Sequence, residues 1–143
     1  MPEHSDDPFH LQRFVDAQAH VFEQVLAELR DGRKRSHWMW FIFPQIAGLG
    51  SSPTAQQYAI SGRSEAEAYL RHPILGPRLR HSTKLVNEVL GRTVEDIFGY
   101  PDNLKFRSSV TLFSSVAPSE EVFRTALEKY FGGKPDSATL ALL

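Results

Sequence analysis

SHWMWFIFPQIAGLGSS, residues 36–52, is the stretch on which the fold turns. Trp38, Met39, Trp40, Phe41, Ile42 and Phe43 stand in a row between the basic Arg33, Lys34 and Arg35 and a loop of glycine and serine. As a strand, this run would be apolar on both faces and would need a partner on each edge, yet the only other strand-like segment is 109–116. As a helix it is apolar all round, a central buried element that Pro44 stops after about one and a half turns. We read it as a short buried aromatic helix near residues 37–43, with a strand as the minority alternative. A membrane span is excluded, because such a span needs ~20 apolar residues.

Working outward, Leu11, Phe14, Val21, Phe22, Val25, Leu26 and Leu29 recur at spacings of three and four, which predicts an amphipathic helix over 9–30, ended by Gly32. Gln18 interrupts this stripe: an amide stands where a hydrophobe is expected, either bonded to a loop backbone or facing a pocket. On the other side, Ser52-Pro53 is an N-cap followed by a first-turn proline and predicts a helix over 54–60. Ser64 with Glu67 resembles a capping box for a helix reaching Leu70, and Leu75, Leu79, Ser82, Val86 and Val89 form one face of a longer helix that Gly91 stops. Thr93 with Asp96 opens a short helix closed by Gly99. Segment 102–117 is ambiguous between helix and strand and is read as a helix; Ser119 caps the next, and Asp136 or Ser137 caps a last short one. The expectation is a single all-α domain over 1–143 of six to eight short and medium helices, with residues 1–8 a loose arm.

Composition supports this and narrows function. At 143 residues, with 41% hydrophobic and 23% charged residues, the chain has enough apolar material for one core. It has no cysteine, so there is no disulfide framework, thiolate metal site or cysteine nucleophile, which fits a reducing, cytoplasmic setting. The acidic N-terminus has no signal-peptide pattern. A net charge of −1 argues against bulk attraction to nucleic acid. The six histidines form no zinc-protease pair and no cluster with carboxylates, so no metal is expected, and no residue pattern calls for a cofactor.

The candidate functional residues flank the aromatic run. Upstream are Lys34 and His37; downstream Gln45 leads to Gly48, Gly50, Ser51 and Ser52 at a helix start. Glycines let a backbone approach a ligand, and free N–H groups at a helix start favour an anion. The loop matches neither a Rossmann fingerprint nor a P-loop, and an ordinary glycine loop with a Ser-Pro cap is the simpler account of it. In 102–117, Lys105 and Ser109 fall on the apolar side of the helix, so Lys105 either snorkels to water or faces a polar cavity, paired with a carboxylate such as Asp102 or holding an anion. Trp38 belongs to the core or to the wall of that cavity.

Residues 34–45 (KRSHWMWFIFPQ) with Gly48, Leu49, Gly50 and Ser51 resemble the signature of a bacterial family, domain of unknown function 1810, whose members often carry the label calpastatin. The likeness continues through Tyr58-Ala59-Ile60, His72-Pro73-Ile74-Leu75-Gly76, Ile97-Phe98-Gly99 and residues 108–113 to Gly133, Asp136 and Thr139, with Val110 in place of an expected methionine. It implies a compact all-helical domain and brings no established activity. A true calpastatin is a largely disordered inhibitor, which regular caps and a core contradict.

The expected function is therefore binding of a small anionic ligand, phosphate- or nucleotide-like, with enzymatic turnover left open. Its site residues would be Lys34, His37, Trp38, Gln45, Gly48, Gly50, Ser51, Ser52, Lys105 and Ser109. The alternative is a helical protein–protein interaction module that uses residues 33–35 or the basic face of 78–84. Its partner is not specified by the sequence.

Overall fold

Helix α8 (Asp102–Val116) packs against four of the other helices. Phe106, Val110, Leu112 and Phe113 are buried, and so are Asn103, Ser108, Ser109 and Thr111. A helix covered on nearly all sides has no solvated stripe, which is why periodicity left this segment undecided between helix and strand. Its small polar residues admit close neighbours: α5 (Arg63–Arg71), α7 (Val94–Phe98), α9 (Glu121–Phe131) and α10 (Ser137–Leu142) all pack on it. Helix α6 (Leu75–Glu88) lies against α9, α5 and α2 (Phe22–Arg30), while α1 (Gln12–Gln18) packs on α3 (Met39–Ile42). Together with α4 (Pro53–Gln57), these elements make an all-α fold of ten helices among the described residues, 7–143, in the computed structural model.

Ten helices exceed the expected six to eight, and one of the additional helices arises because tertiary contacts divide what periodicity joins. The stripe over 9–30 breaks between Gln18 and Phe22, at a point with neither glycine nor proline, where Val21 leaves helical geometry at φ −125°. The two pieces serve different partners, α1 against α3 and α2 against α6. Gln18 is the reason the first piece stays put: its amide donates to Phe41 O at 2.7 Å and to Tyr69 Oη at 3.3 Å, and its oxygen accepts from Arg78 at 3.2 Å. It is the satisfied buried amide, although the backbone it bonds belongs to α3 and not to a loop. Burial pushes the Tyr69 hydroxyl's pKa well above its usual range, so this network stays neutral at the tyrosine, with the Gln18 bond and the Arg78 and Arg13 charges only partly opposing.

Most predicted caps form. Ser52 Oγ accepts from Ala55 N at 3.1 Å, Thr93 and Asp96 make a reciprocal capping box, and Asp136 caps α10 through Thr139 N. Two differ. Helix α9 begins at Glu121 without a side-chain cap from Ser119, and α5 starts after Gly62, where Glu65 reaches back to the amide and hydroxyl of Ser61 instead of Ser64 pairing with Glu67. The expected arm at 1–8 lies outside the described residues up to position 6; Asp7 itself accepts from Leu11 N and Gln12 N and anchors the start of α1.

The aromatic run is a single helical turn that continues into the core. Trp38, Met39, Ile42 and Phe43 are buried, and Phe43 meets Phe98 and Phe106 edge-on at centroid distances of 5.8 and 5.0 Å. It is not covered all round: Trp40 and Phe41 are only half-buried. That partial exposure places an indole at the surface, beside the polar residues described next.

Candidate functional site

Beyond Pro44 the chain makes a closed excursion. Ile46 and Ile60, both buried, form an isolated parallel bridge, with Ala47 N donating to Ile60 O and Ile60 N to Gln45 O, each at 2.8 Å. The returning end of the excursion is held by Arg13, whose guanidinium reaches Gln57 O and Ala59 O at 2.8 Å and the Glu65 carboxylate at 2.9 Å. The loop therefore has fixed ends and a short helix on its back.

Between this loop, the first turns of α8 and the start of α10 runs an open groove of about 470 Å³. Five expected site residues line it: Gln45, Gly50, Ser51, Ser52 and Lys105. Trp40, Ser108 and Asp136, which were not among the expected site residues, line it too. Gly48 lies on a smaller adjoining hollow of about 120 Å³ that shares Trp40, Gln45, Gly50 and Ala55 with the groove.

The glycines have structural explanations. Gly48 has a φ of 104°, and a Cβ there would stand 3.3 Å from the Leu142 side chain, so it lets α10 close on the loop. A Cβ at Gly50 would meet Ala55 Cβ at 2.7 Å. Nor does α4 supply the anion-favouring start expected of it. It has only five residues, its first position is a proline with no N–H, and the Ala55 amide is taken by Ser52 Oγ.

Two charged residues line the groove, Lys105 and Asp136, and Lys105 belongs to a trio with Lys34 and Asp102 beside it. Asp102 receives Lys34 Nζ at 2.9 Å on one oxygen and Lys105 Nζ at 3.4 Å on the other. Lys34 is the committed partner: its side chain is 9% exposed and its ammonium also sits 5.2 Å from the centroid of a Trp38 ring. Lys105 is 25% exposed and lies 4.8 Å from the centroid of a Trp40 ring. Two ammoniums share one carboxylate, so one positive charge is left uncompensated within this trio, on the groove side. Across the groove stands Asp136. Its Oδ2 accepts from Thr139 Oγ1 at 2.6 Å, Thr139 N at 3.1 Å and Ser108 Oγ at 3.2 Å.

The remaining expected site residues are elsewhere. Trp38 is 1% exposed and donates its indole N–H to Glu28 Oε1 at 2.9 Å, so it is core. Ser109 is fully buried in α8, its hydroxyl without a hydrogen-bond partner among the described residues. His37 is exposed and does not line the groove. Lys34 acts on it only through Asp102. The convergence expected of Lys34, His37, Gln45, Lys105 and Ser109 thus holds for Gln45 and Lys105.

Behind the groove, Glu28 organises the basic run. This carboxylate is 1% exposed and accepts from Arg35 N at 2.7 Å, Ser36 N at 3.2 Å, Ser36 Oγ at 2.6 Å, Gln24 Nε2 at 2.9 Å and Trp38 Nε1. Burial alone would raise its pKa; the hydrogen bonds outweigh burial and bring it down to about 2. With Lys34 N donating to Ile97 O at 2.7 Å, this fixes the segment that aims Lys34 at Asp102. Among the described residues no three His, Asp or Glu side chains converge as a metal-ion site, and no helix is long and apolar enough to cross a membrane.

Comparison with known proteins gives two matches. The profile of the family described as protein of unknown function (DUF1810) covers residues 8–143. The crystal structure of the conserved hypothetical protein Rv1873 from Mycobacterium tuberculosis is 58% identical and superposes with a TM-score of 0.95, over 96% of this chain and 98% of that one. No curated protein matches the chain.

Proposed function

This chain belongs to the DUF1810 family, and from that premise we propose that it is a cytoplasmic protein whose groove binds a small organic anion, with phosphate as the preferred charged group. The observation that carries this is the arrangement of Lys34, Asp102 and Lys105: a carboxylate already neutralised by a buried lysine leaves the more exposed Lys105 free to attract an anion. Gln45 and Ser51 add neutral donors along the same groove, and Trp40 adds an apolar wall.

Titration calorimetry with inorganic phosphate and a panel of nucleotides and sugar phosphates tests this. Lys105→Ala should weaken binding at least ~10-fold, the scale of one charge-assisted contact. Two further variants follow from the charge sharing: Asp102→Asn should tighten phosphate, and Lys34→Ala should loosen it although Lys34 does not line the groove. Absence of binding by every phosphate, or an affinity indifferent to Lys105, would overturn the proposal.

The second reading, a helical interaction module, draws on the exposed Arg33 and Arg35. On the other basic face two cations are engaged internally, Arg78 by bonding Gln18 and lying over Phe22 and Arg80 by pairing with Glu120 at 2.6 Å, while Lys84 is exposed. A stoichiometric partner lost on charge reversal at Arg33 and Arg35 would favour it.

A further inference from the structure

Asp136 is placed wrongly for a groove that takes a bare anion. It lines the same space as Lys105, yet Lys105 pairs with Asp102 rather than with Asp136. All three hydrogen bonds to its side chain fall on Oδ2, leaving Oδ1 without a donor from the described residues. An ionised carboxylate only accepts, so Oδ1 calls for a hydrogen-bond donor. Inorganic phosphate would be drawn to Lys105 and repelled by Asp136. A ligand with an anionic end and a hydroxylated end is attracted by both.

We infer that the ligand is a hydroxylated organic phosphate, a sugar phosphate in chemical class, with its phosphate at Lys105 and a hydroxyl donating to Asp136 Oδ1. This rests on the anion-binding reading above and specifies the other end of the ligand. The rest of the lining suits that end. The Gln45 amide and the Ser51 hydroxyl can each donate and accept, as sugar hydroxyls do. Trp40 offers an apolar surface to the C–H face of a sugar ring. The volume of about 470 Å³ lies within the ~300–1,000 Å³ of small-molecule sites.

The test is calorimetry on the full chain with inorganic phosphate, glucose 6-phosphate, cyclohexylmethyl phosphate, which keeps the ring and lacks the hydroxyls, and phosphoethanolamine, which offers an ammonium donor instead. Glucose 6-phosphate should bind at least ~10-fold tighter than cyclohexylmethyl phosphate, the scale of one hydrogen bond to a charged carboxylate. Asp136→Asn and Asp136→Ser both retain a good N-cap for α10. Each should shrink that ratio to within about threefold while inorganic phosphate binds unchanged or tighter. Equal binding of the ring analogues by the natural chain, a ratio that survives both variants, or tighter binding of phosphoethanolamine would overturn the sugar phosphate assignment. Any of these with Lys105-dependent phosphate binding intact would leave the anion reading standing; no phosphate binding at all would remove both.

Discussion

Glu28 and Asp136 are two carboxylates on polar borders of the same aromatic helix, and they are used in opposite ways. Glu28 is sealed from water and both its oxygens are engaged, Oε1 by two backbone amides and the Trp38 indole, Oε2 by Gln24 and Ser36. Asp136 lines the groove with one oxygen filled and the other without a donor from the described residues. A carboxylate whose acceptor sites are all filled from its own chain is architecture: it holds residues 35–38 in place and has nothing left to offer a ligand. A half-filled one also caps a helix, but keeps the capacity to recognise something else.

The contrast is sharpest in stability. Glu28→Ala strips acceptors from buried donors that include the Trp38 indole, and should cost roughly 3–5 kcal/mol in urea unfolding. If the loss were below about 1 kcal/mol, Glu28 would not be the anchor of this segment. Acid should reveal the same group. Its pKa lies near 4.5 unfolded and about 2 folded. The stabilisation is therefore complete above pH ~4.5 and is lost as pH falls toward 2, about 3 kcal/mol in all. Comparing unfolding at pH 5 and pH 3, Glu28→Gln should show a shallower decline than the natural chain.

Smaller effects belong to the groove. Asp136→Ala removes the cap of a short helix and the partner of Ser108, and should cost about 1 kcal/mol, whereas Asp136→Asn should be close to neutral in stability while altering ligand preference. Lys105→Ala, which removes a partly exposed cation from beside Trp40, should change stability by no more than about 0.5–1 kcal/mol, shift the tryptophan emission, and weaken the phosphate response at least ~10-fold. A Lys105 variant that unfolds the protein would erase the distinction between the two regions.

Much of the fold was legible in the chain. The caps at Ser52, Thr93 and Asp136 are local, each a side chain bonding an amide three residues on, and spacing is enough to find them. The break between α1 and α2 was not legible, since its cause is where Gln18 meets Phe41 and Tyr69, far along the chain. For the groove, the two flanks of the aromatic run were the right place to search. Trp40 was missed because a residue inside a continuous apolar run carries no sign of which side stays uncovered. Asp136 was read first as a cap, which it is; its free oxygen is visible only once Thr139 and Ser108 are seen on the other.

What the sequence determined by itself is the class of the molecule: helices set by apolar spacing, their ends by serine, threonine, aspartate and glycine, and a core supplied by the run 38–43. These follow from interactions within a few residues, so a linear reading recovers them. Tertiary structure alone decided which charges remain available. Lys34 and Lys105 look alike in sequence, yet one is buried against Asp102 and the other opens on a groove shared with residues 45–52 and Asp136. The reason is that a charge is spent or left over according to what surrounds it in space, and its neighbours here come from distant parts of the chain.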